Sequence, residues 1–155
     1  MISGAPERRE RSTHLEMDPA GTRLVPTLPD PAILERVQKP SRALRILVVD
    51  DDPLLRTFIA AGLTFDGHDV ETANDGRSAL QLYEARPFQV VVADLFMPGM
   101  NGRDLACAIK QLSSSPPLIC MTGASEEMEN FPFDLIIRKP FAHSVLREAI
   151  EAFCA

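Results

Sequence analysis

From Arg45 onward, short β-branched apolar runs alternate with stretches in which apolar residues recur every three or four positions. Residues 46–49 form a continuous apolar run, as expected of a strand covered on both faces. Pro53 then opens a helix with Leu55, Phe58, Ile59, Gly62 and Leu63 at helical spacing, closing near Asp66-Gly67. Residues 68–72 alternate as a second strand, and Asn74-Asp75-Gly76 breaks the chain before a helix carrying Ala79, Leu82 and Tyr83. A third strand is predicted over 89–93, and a third helix over 102–112 with Leu105, Ile109 and Leu112 inward. A Ser/Pro stretch at 113–117 separates it from a fourth strand at 118–121. Residues 135–137 read as a fifth strand, and 142–153 as a last helix with Val145, Ala149, Ile150 and Phe153 on one stripe.

Such alternation predicts right-handed crossovers, hence an α/β fold around a parallel five-stranded sheet. In open sheets of this kind the functional crevice lies at the carboxyl ends of the strands, where the strand order reverses. In the order 2-1-3-4-5 that point falls between the first and third strands, which end in Asp50-Asp51-Asp52 and Asp94. Lys139 follows the fifth strand, and Thr122 ends the fourth. Clustered carboxylates raise one another's proton affinity unless a cation joins them. An all-oxygen donor set suits Mg²⁺, and a lysine ammonium suits a phosphoryl oxygen. A carboxylate nucleophile, a metal, a lysine and a hydroxyl donor are sufficient parts for forming an acyl phosphate.

The remaining composition narrows the class. Six of the 13 prolines fall in the first 40 residues, where charges of both signs cancel, so residues 1–43 read as a largely disordered tail. Within it, Asp30 as N-cap and Pro31 as first helical residue point to a short helix over 31–38, read as transient. The net charge of -6 therefore belongs to residues 41–155, and an acidic body without a basic stripe argues against nucleic-acid binding. No apolar stretch is long enough for a membrane span and no secretion signal opens the chain. Cys107, Cys120 and Cys154 lack metal-type spacing and read as small buried hydrophobes in a reducing cytoplasm. His68 and His143 read as isolated surface residues, and Arg103, Asp104 and the acids Glu126, Glu127 and Glu129 as solvated helix faces.

Four motifs in order carry a family resemblance: Val48-Val49-Asp50-Asp51-Asp52-Pro53, Asp94-Leu95-Phe96-Met97-Pro98-Gly99-Met100-Asn101-Gly102, Met121-Thr122-Gly123 and Arg138-Lys139-Pro140-Phe141. Over residues 44–155 the chain resembles the receiver domain of two-component response regulators. The resemblance implies a flavodoxin-like, doubly wound sheet of order 2-1-3-4-5. It implies Asp94 as phosphoacceptor and a Mg²⁺ ion held by Asp51 directly, by Asp50 largely through water, by Asp94 and by the backbone carbonyl of Phe96. Thr122 would be the switch hydroxyl, Lys139 its ion-pair partner, and Lys139-Pro140 a cis bond. Asp52 is expected to act mainly as a helix-start acid.

Departures from the pattern accompany the likeness. Ile136 stands where receivers commonly carry an aromatic residue that moves with the threonine, and a β-branched side chain has a stiff rotor. The segment between Thr122 and Lys139 is short and contains Pro132, so the fourth helix is expected to be short or missing. Phe96, two residues after Asp94, is placed to hinder water attack on a phosphoryl group. Since the chain stops at Ala155 soon after the last helix, the expectation is a single-domain response regulator rather than a turnover enzyme. It would be phosphorylated by a sensor histidine kinase or histidine phosphotransfer protein and would act on a downstream protein. The alternatives are a phosphorylation-independent binding module and, more remotely, a haloacid-dehalogenase-like phosphatase using the Asp50-x-Asp52 pair.

Overall fold

The computed structural model describes residues 42–123 and 131–154. The expected tail over 1–43, with its short helix at 31–38, lies outside the described residues except for 42 and 43, which are exposed and irregular. The expectation of a short or missing helix before the fifth strand falls largely on 124–130, also outside them.

Five strands, β1 (Arg45–Val49), β2 (Asp69–Ala73), β3 (Val90–Asp94), β4 (Leu118–Thr122) and β5 (Leu135–Arg138), alternate with four described helices. The helices are α1 (Pro53–Phe65), α2 (Gly76–Ala85), α3 (Gly102–Lys110) and α4 (His143–Cys154). The strands pair in parallel in the order β2-β1-β3-β4-β5, as the alternation required.

The two-residue period of the strands divides the core. Ile46 and Val48 of β1, Val90 and Val92 of β3, and Ile119 and Met121 of β4 face Ile59 and Leu63 of α1 and Leu146 and Ile150 of α4. Leu47, Val49, Val91 and Ala93 point the other way, onto Ala79 and Tyr83 of α2 and Leu105 and Ile109 of α3. Strands covered on both faces need continuous apolar sequence, which is why residues 46–49, 90–93 and 118–121 are uninterrupted apolar runs.

Strand bounds differ from expectation by a residue or so, but several helix faces differ more. Phe58 is 67% exposed, so α1 packs through Ile59 and Leu63 with Leu55 at the margin. Leu112 lies beyond the end of α3, exposed. In α4 the inward residues are Leu146, Ala149 and Ile150, while Val145 and Phe153 face solvent. Spacing identifies a helix, but the direction of its apolar stripe depends on how the helix sits on the sheet.

Candidate functional site

The loops leaving β1, β2 and β3 at the carboxyl edge each enter a helix through a side-chain cap. Asp52 caps α1, its Oδ1 accepting from the amides of Leu54 (2.8 Å) and Leu55 (3.2 Å). Asp75 caps α2 through the amide and hydroxyl of Ser78 (2.8 and 2.7 Å), and Asn101 caps α3 through the amide of Asp104 (2.9 Å). These bonds satisfy amides that a helix start leaves open. They also hold the strand-to-helix turns that border the site.

Pairing of Val49 with Ala93 in β1 and β3 brings the next residues, Asp50 and Asp94, side by side. Asp51 joins them: one carboxylate oxygen from each of Asp50, Asp51 and Asp94 lies within 4.8 Å of the others. Asp50 and Asp94 are buried and Asp51 is exposed, so the cluster opens to solvent on one side. On the other side of β3, Thr122 ends β4, fully buried, and its carbonyl accepts from the Lys139 amide at 2.8 Å. The Lys139-Pro140 bond is cis, as the resemblance implied.

Lys139 links the parts. Its Nζ stands 3.0 Å from Asp50 Oδ2 and 3.3 Å from Asp94 Oδ1. The other oxygen of Asp50 accepts from the Asp52 amide at 2.8 Å, and Arg56 donates to the Asp50 carbonyl at 2.6 Å. Asp50 is thus held at both carboxylate oxygens and at its backbone. Burial pushes the Asp94 carboxyl upward and the neighbouring Asp50 adds to this, against the pull of Lys139. For Lys139 burial works downward, but the hydrogen bond to Asp50 and the charges of Asp94 and Asp50 outweigh it and leave the ammonium raised. The result is a lysine held protonated beside a desolvated acid, an arrangement that favours a cation or phosphoryl oxygens as further partners.

Asp52 does not belong to the cluster, since its carboxylate is committed to the α1 amides. Phe96 is 58% exposed in the loop after β3, and Ile136 is half-buried on edge strand β5 opposite Cys120. Arg56 is a positioning residue that sequence reading missed. Its partner is a backbone carbonyl, which leaves no trace in residue pattern.

The histidines depart from expectation. His68 is buried, its Nδ1 accepting from the Leu44 amide (3.3 Å), and His143 Nε2 lies 2.7 Å from the buried Asp66. A Cβ at Gly62 would run into the His143 ring, so glycine there makes room for this α1–α4 contact. Among the cysteines, Cys120 is buried as expected, and burial with the nearby Asp94 charge pushes its thiol up to about 12. Cys107 is exposed, against expectation.

Comparison with known proteins places this geometry. The family described as response regulator receiver domain matches residues 46–151. Response regulator RR06 of Streptococcus pneumoniae is 33% identical over 113 residues, 70% of this chain and 52% of that protein. The autoinducer 1 sensor kinase/phosphatase LuxN of Vibrio campbellii is 30% identical over 76% of this chain and 14% of its own length. The chain thus spans about half, or less, of the curated relatives it matches. Among solved structures, the chemotaxis protein CheY4 of Vibrio cholerae matches with a TM-score of 0.68 at 26% identity, covering 72% of this chain and 99% of that one. The response regulator TrrA of Thermotoga maritima, solved with Mg²⁺ and BeF, matches at 0.67 and 28% identity, over 71% and 98%.

Proposed function

The chain belongs to the response regulator receiver domain family, and we propose that residues 44–155 accept a phosphoryl group on Asp94 from a phosphohistidine. The donor would be a sensor histidine kinase or a histidine phosphotransfer protein. The observation that carries this reading is the placement of Asp94 between two further carboxylates and a shared ammonium at the switch point of the sheet.

In the transfer, a carboxylate oxygen of Asp94 attacks phosphorus, the P–N bond breaks, and the imidazole leaves with its electron pair. The acyl phosphate would form on a side chain already paired with Lys139, so the ammonium can follow the new charge. Its Nζ touches both Asp50 and Asp94, and exchange of one carboxylate for a phosphoryl oxygen needs little motion. Thr122 would donate its hydroxyl to another phosphoryl oxygen, while Ile136, at the switch position, has a stiff rotor in place of the usual aromatic ring. Three clustered carboxylates fit a hard divalent cation. Mg²⁺ would be held by Asp51 directly, by Asp50 largely through water, by Asp94 and by the Phe96 carbonyl. Bound there, it would supply positive charge that screens the carboxylates and the incoming phosphoryl oxygens. Asp50, clamped by Lys139, Arg56 and the Asp52 amide, would keep the donor set in place.

Each chain would take up one phosphoryl group and signal through contact with a downstream protein, not by turnover. A cytoplasmic setting belongs to this reading. Cys107 and Cys120 are both free, and among the described residues no helix is long and apolar enough to cross a membrane. The test is incubation of the full chain with Mg²⁺ and acetyl phosphate, followed by intact mass measurement. One added phosphoryl group is expected, absent in Asp94→Asn and absent with a chelator. An unmodified wild-type protein would instead support a binding module that works without phosphorylation.

A further inference from the structure

The outward face of α1 has an unusual composition for a helix exposed to water. Its exposed positions include Leu54, Thr57, Phe58, Ala61, Thr64 and Phe65, none of them charged. Arg56 is the one ion in the 13 residues, and its guanidinium turns inward to the Asp50 carbonyl. Leu54, Phe58 and Phe65 are 81%, 67% and 76% exposed. A helix on a soluble domain normally carries charge opposite its core stripe, and one that is apolar all round is normally buried. We propose that this face is a homodimer interface, on which α1 of a second copy packs antiparallel.

The second copy is argued from self-complementarity. A two-fold interface requires that residue i meet j and j meet i. Antiparallel packing about a point between Ile59 and Ala60 sets Leu54 opposite Phe65, and Phe58 opposite Ala61. A large ring thus meets a small side chain, twice by symmetry. The shallow groove beside Ala61, walled by Thr57, Thr64, Phe65 and Thr72, offers the hollow that the second copy's Phe58 would enter. The charge pattern agrees, because an uncharged face matches itself without stripping water from any ion.

The area sets the strength. The three large side chains leave on the order of 400 Å² in water, within the range of the largest apolar patch on a typical monomer, which is often functional. With the threonines and Ala61 the buried area approaches about 600 Å² per copy, against roughly 800 Å² per partner in a standard interface. The dimer is therefore weak and reversible, at the size of transient interfaces.

Sedimentation velocity on the full chain, from about 5 to 300 µM, tests this. Wild type should pass from monomer to dimer over that range. Phe58→Glu and Ala61→Lys should each weaken association at least tenfold with unchanged circular dichroism, and the two variants mixed should associate again through one Glu–Lys contact. Wild type that stays monomeric throughout, or a Phe58→Glu protein that dimerises like wild type, overturns the proposal. So does a monomeric wild type in which Phe58→Glu blocks phosphoryl uptake from a histidine-phosphorylated donor, because the face then belongs to the donor.

Discussion

We propose that the Phe96 side chain lengthens the life of a phosphoryl group on Asp94. It stands two residues after Asp94 and keeps 58% of its surface in water, and its ring would narrow the path by which water reaches that group. Replacing the ring by a small amide opens that path and supplies a group that can orient water. We predict that Phe96→Asn loses its phosphoryl group about tenfold faster, equivalent to about 1.4 kcal/mol in the barrier. Decay followed by intact mass after removing acetyl phosphate checks this, and an unchanged half-life would count against a shielding role. His68 gives a second residue-scale prediction. Burial lowers its pKa from 6.5, although Asp66 and Glu151 pull the other way. Above pH 6.5 the ring is neutral folded or unfolded and contributes no pH dependence. As the pH falls below 6.5 the unfolded chain takes a proton that the folded chain resists, so stability drops. His68→Gln keeps an acceptor for the Leu44 amide but removes the titration. Its urea midpoint should fall less steeply than wild type below pH 6.5; equal slopes would sink the assignment.

At the scale of elements, the contact of α3 with β3 holds the strand that carries Asp94 in register with the loop that follows it. A Cβ on Gly102 would collide with the Asp94 carbonyl oxygen, and the Gly102 amide donates to Leu95 at 3.0 Å. Gly102→Ala must push the helix off the strand, and overpacking of this kind costs about 1–3 kcal/mol. Urea unfolding should show that loss, together with reduced phosphoryl uptake. Full stability with normal uptake would mean the helix start yields without disturbing Asp94. The same scale explains what could be read from residues alone. Asp50 and Asp94 were legible because each directly follows an apolar run, and Lys139 because it follows one after Arg138 alone, so finding the strands found the site. The exposure of Phe58, Val145 and Phe153 was not legible, because helical spacing is silent about which neighbour each face meets. The His143–Asp66 contact joins residues 77 apart, and nothing local marks it.

For the molecule as a whole, the site is a concentration of like charge held together by the fold. Asp50, Asp51 and Asp94 converge within 4.8 Å, while Lys139 is the cation paired with two of them. Folding therefore works against repulsion between Asp94 and the adjacent pair Asp50-Asp51, which the unfolded chain, with Asp94 far from that pair in sequence, does not experience. A cation that binds only the assembled site returns stability as RT ln(1 + [L]/Kd), about 2.7 kcal/mol at a hundredfold excess over Kd. For a domain of this size that is a rise in Tm of roughly 10 °C. Asp51 is the exposed member of the set, so Asp51→Asn removes a ligand with little disturbance to packing. Without Mg²⁺ the variant should be as stable as wild type or slightly more so, because one repelling charge is gone. At saturating Mg²⁺ it should be clearly less stable, because the cation has lost its direct carboxylate. Thermal melts of both proteins with and without Mg²⁺ read this change of sign. Equal Mg²⁺ shifts for the two would show that the ion stabilises the fold from somewhere other than this cluster.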